Sequence, residues 1–155
     1  MSLDILVARL TGQALLHEKL LADDPAALAK RPEPGKWCAL ENLAHVARHH
    51  EVMLDRLRQM AASEEAIAFP AYVPEQDPAW PSWQSLGVDD VGLRLRAMRQ
   101  ELVAFVEGHA ERLSAMRGSH PAFGPLPGDG WLELFLVHEA HHQYLALRAL
   151  GLAKR

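Results

Sequence analysis

The sequence predicts an all-α protein, a four-helix bundle. Three observations carry this. Four stretches of the 155-residue chain repeat their apolar residues with the three-four alternation of an amphipathic helix. The alternating Val/Ile-rich runs that would mark a sheet are missing, so no strands are expected. Breaks rich in Pro and Gly separate the helical stretches. Four such helices, of about five to eight turns each, bury their apolar stripes against one another.

The first helix is expected over 3–22, with Leu3, Leu6, Leu10, Gln13, His17 and Leu20 as its seam. Asp23-Asp24-Pro25 breaks it, and Asp24 is placed to cap a short turn beginning at Pro25. The run Arg31-Pro32-Glu33-Pro34-Gly35-Lys36-Trp37 is too rich in Pro and Gly for regular structure. The second helix is expected over 39–60. Cys38 takes the N-cap position and Glu41 follows three residues on, a capping box with Cys in place of Ser or Thr and therefore a weak cap. Its seam is Leu43, Val46, His50, Met53, Leu57 and Met60, with His45 and His49 on one flank.

Residues 61–88 form a long connection with Pro70, Pro74, Pro78 and Pro81. Connections of this length are often functional. Phe69, Tyr72, Trp80 and Trp83 imply that it packs on the body of the protein. It can cross the bundle from end to end, so helices two and three need not be antiparallel neighbours. The third helix is expected over 89–117, starting near Asp89 or Asp90, with Val91, Leu95, Met98, Leu102, Phe105 and His109 as its seam. Residues 118–130 are broken by Pro121, Pro125 and Pro127. Asp129 is expected to cap the fourth helix, which ends near Gly151. Its seam is Trp131, Phe135, His138, His142, Leu145 and Ala149.

Length points to one domain over 1–155 with a real core. A net charge of -4 supplies no basic footprint for nucleic acid. Interspersed charges argue against a membrane anchor, and no apolar run reaches the roughly 18 residues of a membrane helix. Met1-Ser2-Leu3-Asp4 lacks the layout of a signal peptide. A single cysteine, Cys38, excludes an internal disulfide framework. Together these features point to the cytoplasm.

Chemistry concentrates in Val137-His138-Glu139-Ala140-His141-His142. Residues four apart on a helix share a face, so His138 and His142 can grip one metal ion from the same helix. The alternative is a pair of core histidines satisfied by polar neighbours. The second helix carries three further histidines that can face the fourth. A three-histidine set leaves a coordination position open, as in catalytic sites. Periodicity alone favours His50 as third ligand over His49 and His45.

The run Gly35-Lys36-Trp37-Cys38-Ala39-Leu40-Glu41-Asn42-Leu43-Ala44-His45 resembles the start of the second helix in the DinB/YfiT superfamily, where Trp-Ser/Thr, Glu and His follow at this spacing. His138-Glu139-Ala140-His141-His142-Gln143 resembles that superfamily's fourth-helix HxxxH signature. The resemblance implies an up-down-down-up four-helix bundle and a homodimer. It implies a divalent metal, zinc or nickel, held by His45, His138 and His142. It also implies a thiol-dependent transferase or isomerase that uses a low-molecular-weight thiol on a small-molecule substrate. Metal-assisted hydrolysis and a non-catalytic dimeric bundle with a structural metal are the alternatives. His45 thus displaces His50 on the strength of the motif.

The remaining candidates have lesser roles. His141 and His49 are placed to line the pocket. Glu139 points roughly 100° away from His138 and reads as a solvated charge. His17 reads as core or rim. His109 and His120 have no evident partner. Cys38 lacks a base and is no nucleophile, although a helix N-terminus would lower its pKa. Trp80, Trp83 and Tyr72 are placed to wall a pocket over the metal. No obvious basic cluster awaits an acidic thiol; Arg48, Arg56 and Arg148 are the candidates, and each reads as a solvated surface charge.

Overall fold

The computed structural model describes residues 2–151. Four long helices, α1 (Leu3–Leu21), α3 (Ala39–Ala62), α5 (Val88–Gly108) and α6 (Gly128–Ala149), make up the bundle. Two short helices, α2 (Pro25–Ala29) and α4 (Trp80–Gln84), lie in the connections. α1 and α3 each pack on both α5 and α6.

The helix starts follow local chemistry. The Ser2 side chain accepts from the Ile5 N–H, and Asp4 lies in the first turn near the positive end of the helix dipole. Asp24 accepts from Ala26 N–H ahead of Pro25, as expected. The capping box of α3 is complete. Cys38 Sγ accepts from Glu41 N–H at 3.4 Å, and the Glu41 carboxylate accepts from Cys38 N–H at 2.8 Å. The fourth helix starts differently from expectation. Pro127 is the N-cap residue and makes no side-chain cap, while Asp129 lies inside the first turn.

Two apolar clusters stack along the bundle. One unites Leu6 and Leu10 of α1, Met53 and Leu57 of α3, Leu102 and Val106 of α5, and Trp131 and Phe135 of α6. The other unites Leu20, Leu43, Val46, Val91, Leu95 and Ala146. The starts of α1 and α6 therefore share an end with the finishes of α3 and α5.

Three short strands close the first end, which corrects the expectation of no strands. β1 (Ile67–Ala68) pairs in parallel with β2 (Arg117–His120), and β2 pairs antiparallel with β3 (Gly124–Pro127). The third helix accordingly stops at Gly108 rather than at Arg117. Gly118 sits where no side chain fits. A Cβ there would meet Met60 Sδ at 2.6 Å and Trp131 Nε1 at 2.7 Å. The indole N–H donates to the Gly118 carbonyl at 3.1 Å.

The connection over 61–88 packs on the bundle, with Phe69, Trp80 and Trp83 buried. Arg56 is also buried, contrary to its reading as a surface charge. Its guanidinium donates to the Pro70 carbonyl and lies 5.4 Å from the rings of both Phe69 and Trp131. Among the described residues, no helix is long and apolar enough to cross a membrane.

Candidate metal centre

α3 and α6 bring three histidines to one point. One ligating atom from each of His45, His138 and His142 lies within 4.8 Å of the others. His45 Nε2 and His138 Nε2 are 3.1 Å apart. Two nitrogens bonded to one tetrahedral ion at about 2.0–2.1 Å would lie roughly 3.3–3.4 Å apart, so this pair is already at ligand spacing. His45 is buried, while His138 and His142 are half-buried.

Electrostatics keeps the three rings in the form that binds metal. Burial, then the neighbouring His138, pushes His45 down to about 3. Burial, then His141, pushes His138 down to about 4. Burial, then His45 and His138, pushes His142 down to about 2. At neutral pH all three are neutral imidazoles with a lone pair to give.

Asn42 fixes the orientation of one ring. His142 Nδ1–H donates to Asn42 Oδ1 at 2.9 Å, which leaves Nε2 with the lone pair. The Asn42 amide is held in turn, its Nδ2 donating to the Cys38 carbonyl at 2.9 Å. Sequence reading missed Asn42. Its signal was its place three residues before His45, on the same face of α3.

Aromatic rings enclose the cluster. The Trp37 ring centre lies 5.1 Å from that of His45 and 6.0 Å from that of His142. Tyr72 stacks over His45 at 5.7 Å, and Trp80 meets His45 edge-on at 5.7 Å. Tyr72 is tethered through its hydroxyl, which donates to Asp77 Oδ2 at 3.0 Å. Arg48 holds Asp77 by two hydrogen bonds, at 2.6 and 3.2 Å, so it is a clamp rather than a free surface charge. Trp83 does not join this wall. It is buried in the second apolar cluster, with the Arg94 guanidinium 4.4 Å from its ring centre. Trp37, part of the family motif, is the third residue of this wall.

The other histidines separate clearly. His49 is buried, its ring centre 4.0 Å from His138 and stacked on Phe135 at 5.7 Å. His141 is exposed and meets the His142 ring edge-on at 5.3 Å. His50, the ligand that periodicity favoured, turns away. Its Nδ1 bonds the Val46 carbonyl at 2.9 Å and its Nε2 lies 3.9 Å from Glu139 Oε1. His109 bonds the Phe105 carbonyl through Nδ1. His120 Nδ1 accepts from Ala122 N–H. Cys38 is buried, and burial raises its thiol pKa rather than lowering it.

Glu139 departs furthest from its expected environment. It is fully buried, not solvated. Arg99 donates to it, and His17 Nε2 lies 2.9 Å from its Oε1. His17, His50, Arg99 and Glu139 come one from each long helix, between the two apolar clusters. Burial, then the Arg99 guanidinium, holds His50 well below the usual histidine range.

A cleft of about 850 Å³ shares Trp37 and Asn42 with the histidine cluster. Trp37 and Asn42 line it from one side, and Tyr144, Leu145, Arg148 and Ala149 of α6 from the other. Arg148 therefore faces this cleft.

The sequence profile of the DinB superfamily matches residues 9–146, a span holding all three histidines, the whole of α3 and all but the last residues of α6. The chain belongs to the DinB superfamily. Among the solved structures that share its fold are two four-helix bundles. One is YfiT from Bacillus subtilis, described as a probable metal-dependent hydrolase with an unusual four-helix bundle topology. It is 14% identical, with a TM-score of 0.77 over 95% of this chain and 85% of that one. The other is TT2238, described as a four-helix bundle protein, which is 28% identical with a TM-score of 0.63 over 96% of this chain and 99% of that one. A comparison of this DinB-superfamily chain with curated proteins returned no match.

Proposed function

We propose that the chain is a metal-dependent enzyme that holds a divalent ion, zinc or nickel, on His45, His138 and His142. The observation that carries this reading is the convergence of three neutral, largely desolvated imidazoles, two of them already at ligand spacing. A divalent ion held there supplies Lewis acidity toward a thiol, a water or a carbonyl.

The chain's own residues prepare the site. Asn42 presents Nε2 of His142 by holding its opposite nitrogen. The ring of His49 packs against that of His138 and limits its rotation. Trp37, Tyr72 and Trp80 shield His45 from water, which strengthens electrostatic interactions around it.

We favour a thiol-dependent transferase or isomerase acting on a small molecule. A thiol acidified at the site is itself a strong nucleophile. It needs no carboxylate base, and the acidic residue nearest in sequence, Glu139, is committed to Arg99 and His17. Metal-assisted hydrolysis is the second reading, favoured by the description of YfiT. The proposal extends to a single-domain homodimer in the cytoplasm.

A thermal-shift screen of small thiols tests the reading. A thiol that binds the metal-loaded chain raises Tm by mass action. The rise should vanish in His138→Ala while that variant keeps its helical circular dichroism. A stabilisation that survives His138→Ala would reject thiol binding at the histidines. A His138→Ala chain that unfolds would point to a structural metal.

A further inference from the structure

A cleft lies between the 32–37 loop and the last turns of α6, and no histidine lines it. Its volume, about 850 Å³, falls in the range of small-molecule sites. Two of its lining side chains, Lys36 and Arg148, are cations, and neither forms an ion pair among the described residues. Glu33 is the single acidic side chain in the lining. The balance of charge facing the cleft is therefore positive, on a chain whose net charge is -4.

The cleft also has an apolar wall. Trp37 and Tyr144 both line it, and Tyr144 is 52% exposed. Flat aromatic side chains present faces on which a flat ligand stacks. Gly35 turns the loop with φ of 77°, a conformation that disfavours side chains, and space is open around it.

The cleft and the histidines share two residues. The Trp37 ring borders the cleft and lies 5.1 and 6.0 Å from the rings of His45 and His142. Asn42 lines the cleft while its side-chain oxygen holds His142. A molecule seated in the cleft would have its far end one side chain away from the metal-binding nitrogens.

We infer that this cleft binds the carboxylate end of a small, flat organic acid, with Lys36 and Arg148 pairing the carboxylate and Trp37 carrying the planar body. This rests on the histidine cluster being the reactive centre, toward which the other end of the molecule would point. Glu33 opposes the ligand and sets its affinity below what the two cations alone would give.

Benzoate and its neutral counterpart benzyl alcohol are suitable probes, titrated by NMR into the full chain after metal removal with a chelator. Benzoate should bind more tightly than benzyl alcohol, and less tightly as salt screens the charges. Lys36→Ala and Arg148→Ala should each weaken benzoate roughly two- to fivefold, the range of a solvent-exposed ion pair. Glu33→Gln should tighten it, and none of the three should move benzyl alcohol. Equal affinity for the two probes, no benzoate binding, or indifference of benzoate to all three substitutions would overturn the inference. Benzoate binding should persist in His138→Ala. The cleft and the metal site can thus fail separately: charge-sensitive binding by a chain that takes up no metal would reject the metal reading alone.

Discussion

His142 depends on Asn42 for its orientation. The hydrogen bond from Nδ1–H to Asn42 Oδ1, at 2.9 Å, fixes both the tautomer and the direction of the ring. Loss of such a partner typically costs about 10- to 100-fold in metal affinity. Asn42→Ala should therefore weaken zinc by that factor in a competition titration, and unchanged affinity would show that the contact does not orient the ligand. The same residues set a pH dependence. His45, His138 and His142 are held at about 3, 4 and 2, against about 6.5 in an unfolded chain. Above pH 6.5 neither state takes up protons and the contribution to stability is complete. Below it the unfolded chain binds protons that the folded chain refuses, so stability falls toward the folded values, by about 1.4 kcal/mol per pH unit for each group inside the window. The Tm of the metal-free protein should drop between pH 6.5 and 4, and the drop should be shallower in His45→Gln. Parallel profiles for the two proteins would contradict it.

At the scale of elements, a clamp at Asp77 joins the Arg56–Pro70 bond in holding the long connection to α3. Arg48 binds Asp77, Asp77 accepts from the Ala79 N–H, and Tyr72 donates to Asp77. This places the Tyr72 ring over His45. Asp77→Ala should speed amide hydrogen exchange over 72–79 while α3 and α6 stay protected; unaltered exchange would mean that burial of Trp80, not the clamp, fixes the segment. The aromatic content of this connection was legible in sequence as packing, whereas the clamp was not, because Arg48 and Asp77 lie 29 residues apart. The small sheet was illegible for a different reason. Arg117-Gly118-Ser119-His120 and Gly124-Pro125-Leu126-Pro127 carry no alternating β-branched pattern. They pair because Gly118 lets the backbone approach Met60 and Trp131 and because Trp131 donates to its carbonyl.

Across the whole molecule, the centre of the bundle is charged. Glu139, Arg99, His17 and His50 meet between two apolar clusters, one residue from each long helix. Removing one member of a buried pair leaves the other uncompensated and costs about 3–5 kcal/mol. Glu139→Ala should lower stability by that amount in urea denaturation, and Glu139→Leu combined with Arg99→Met should recover most of it. A loss below about 1 kcal/mol in the single variant would contradict a buried charge pair. This cluster explains why the seams were only partly legible. A template that seeks apolar residues steps over Arg99 to Met98 and over Glu139 to His138, although Arg99 and Glu139 are the buried ones. His138 and His142 consequently lie at the edge of the α6 stripe, turned toward α3, and His50 faces the charged centre. The i,i+4 spacing was enough to place His138 and His142 together, but the choice of His45 came from the family motif alone.

Metal content tests the central claim most directly. The untagged protein, purified without added chelator, should carry one divalent ion per chain by inductively coupled plasma mass spectrometry. His45→Ala, His138→Ala and His142→Ala should each abolish stoichiometric retention, while His50→Ala, whose ring faces Glu139, should keep it. A chain without stoichiometric metal, or one that loses it with His50 and not with His45, would contradict the account.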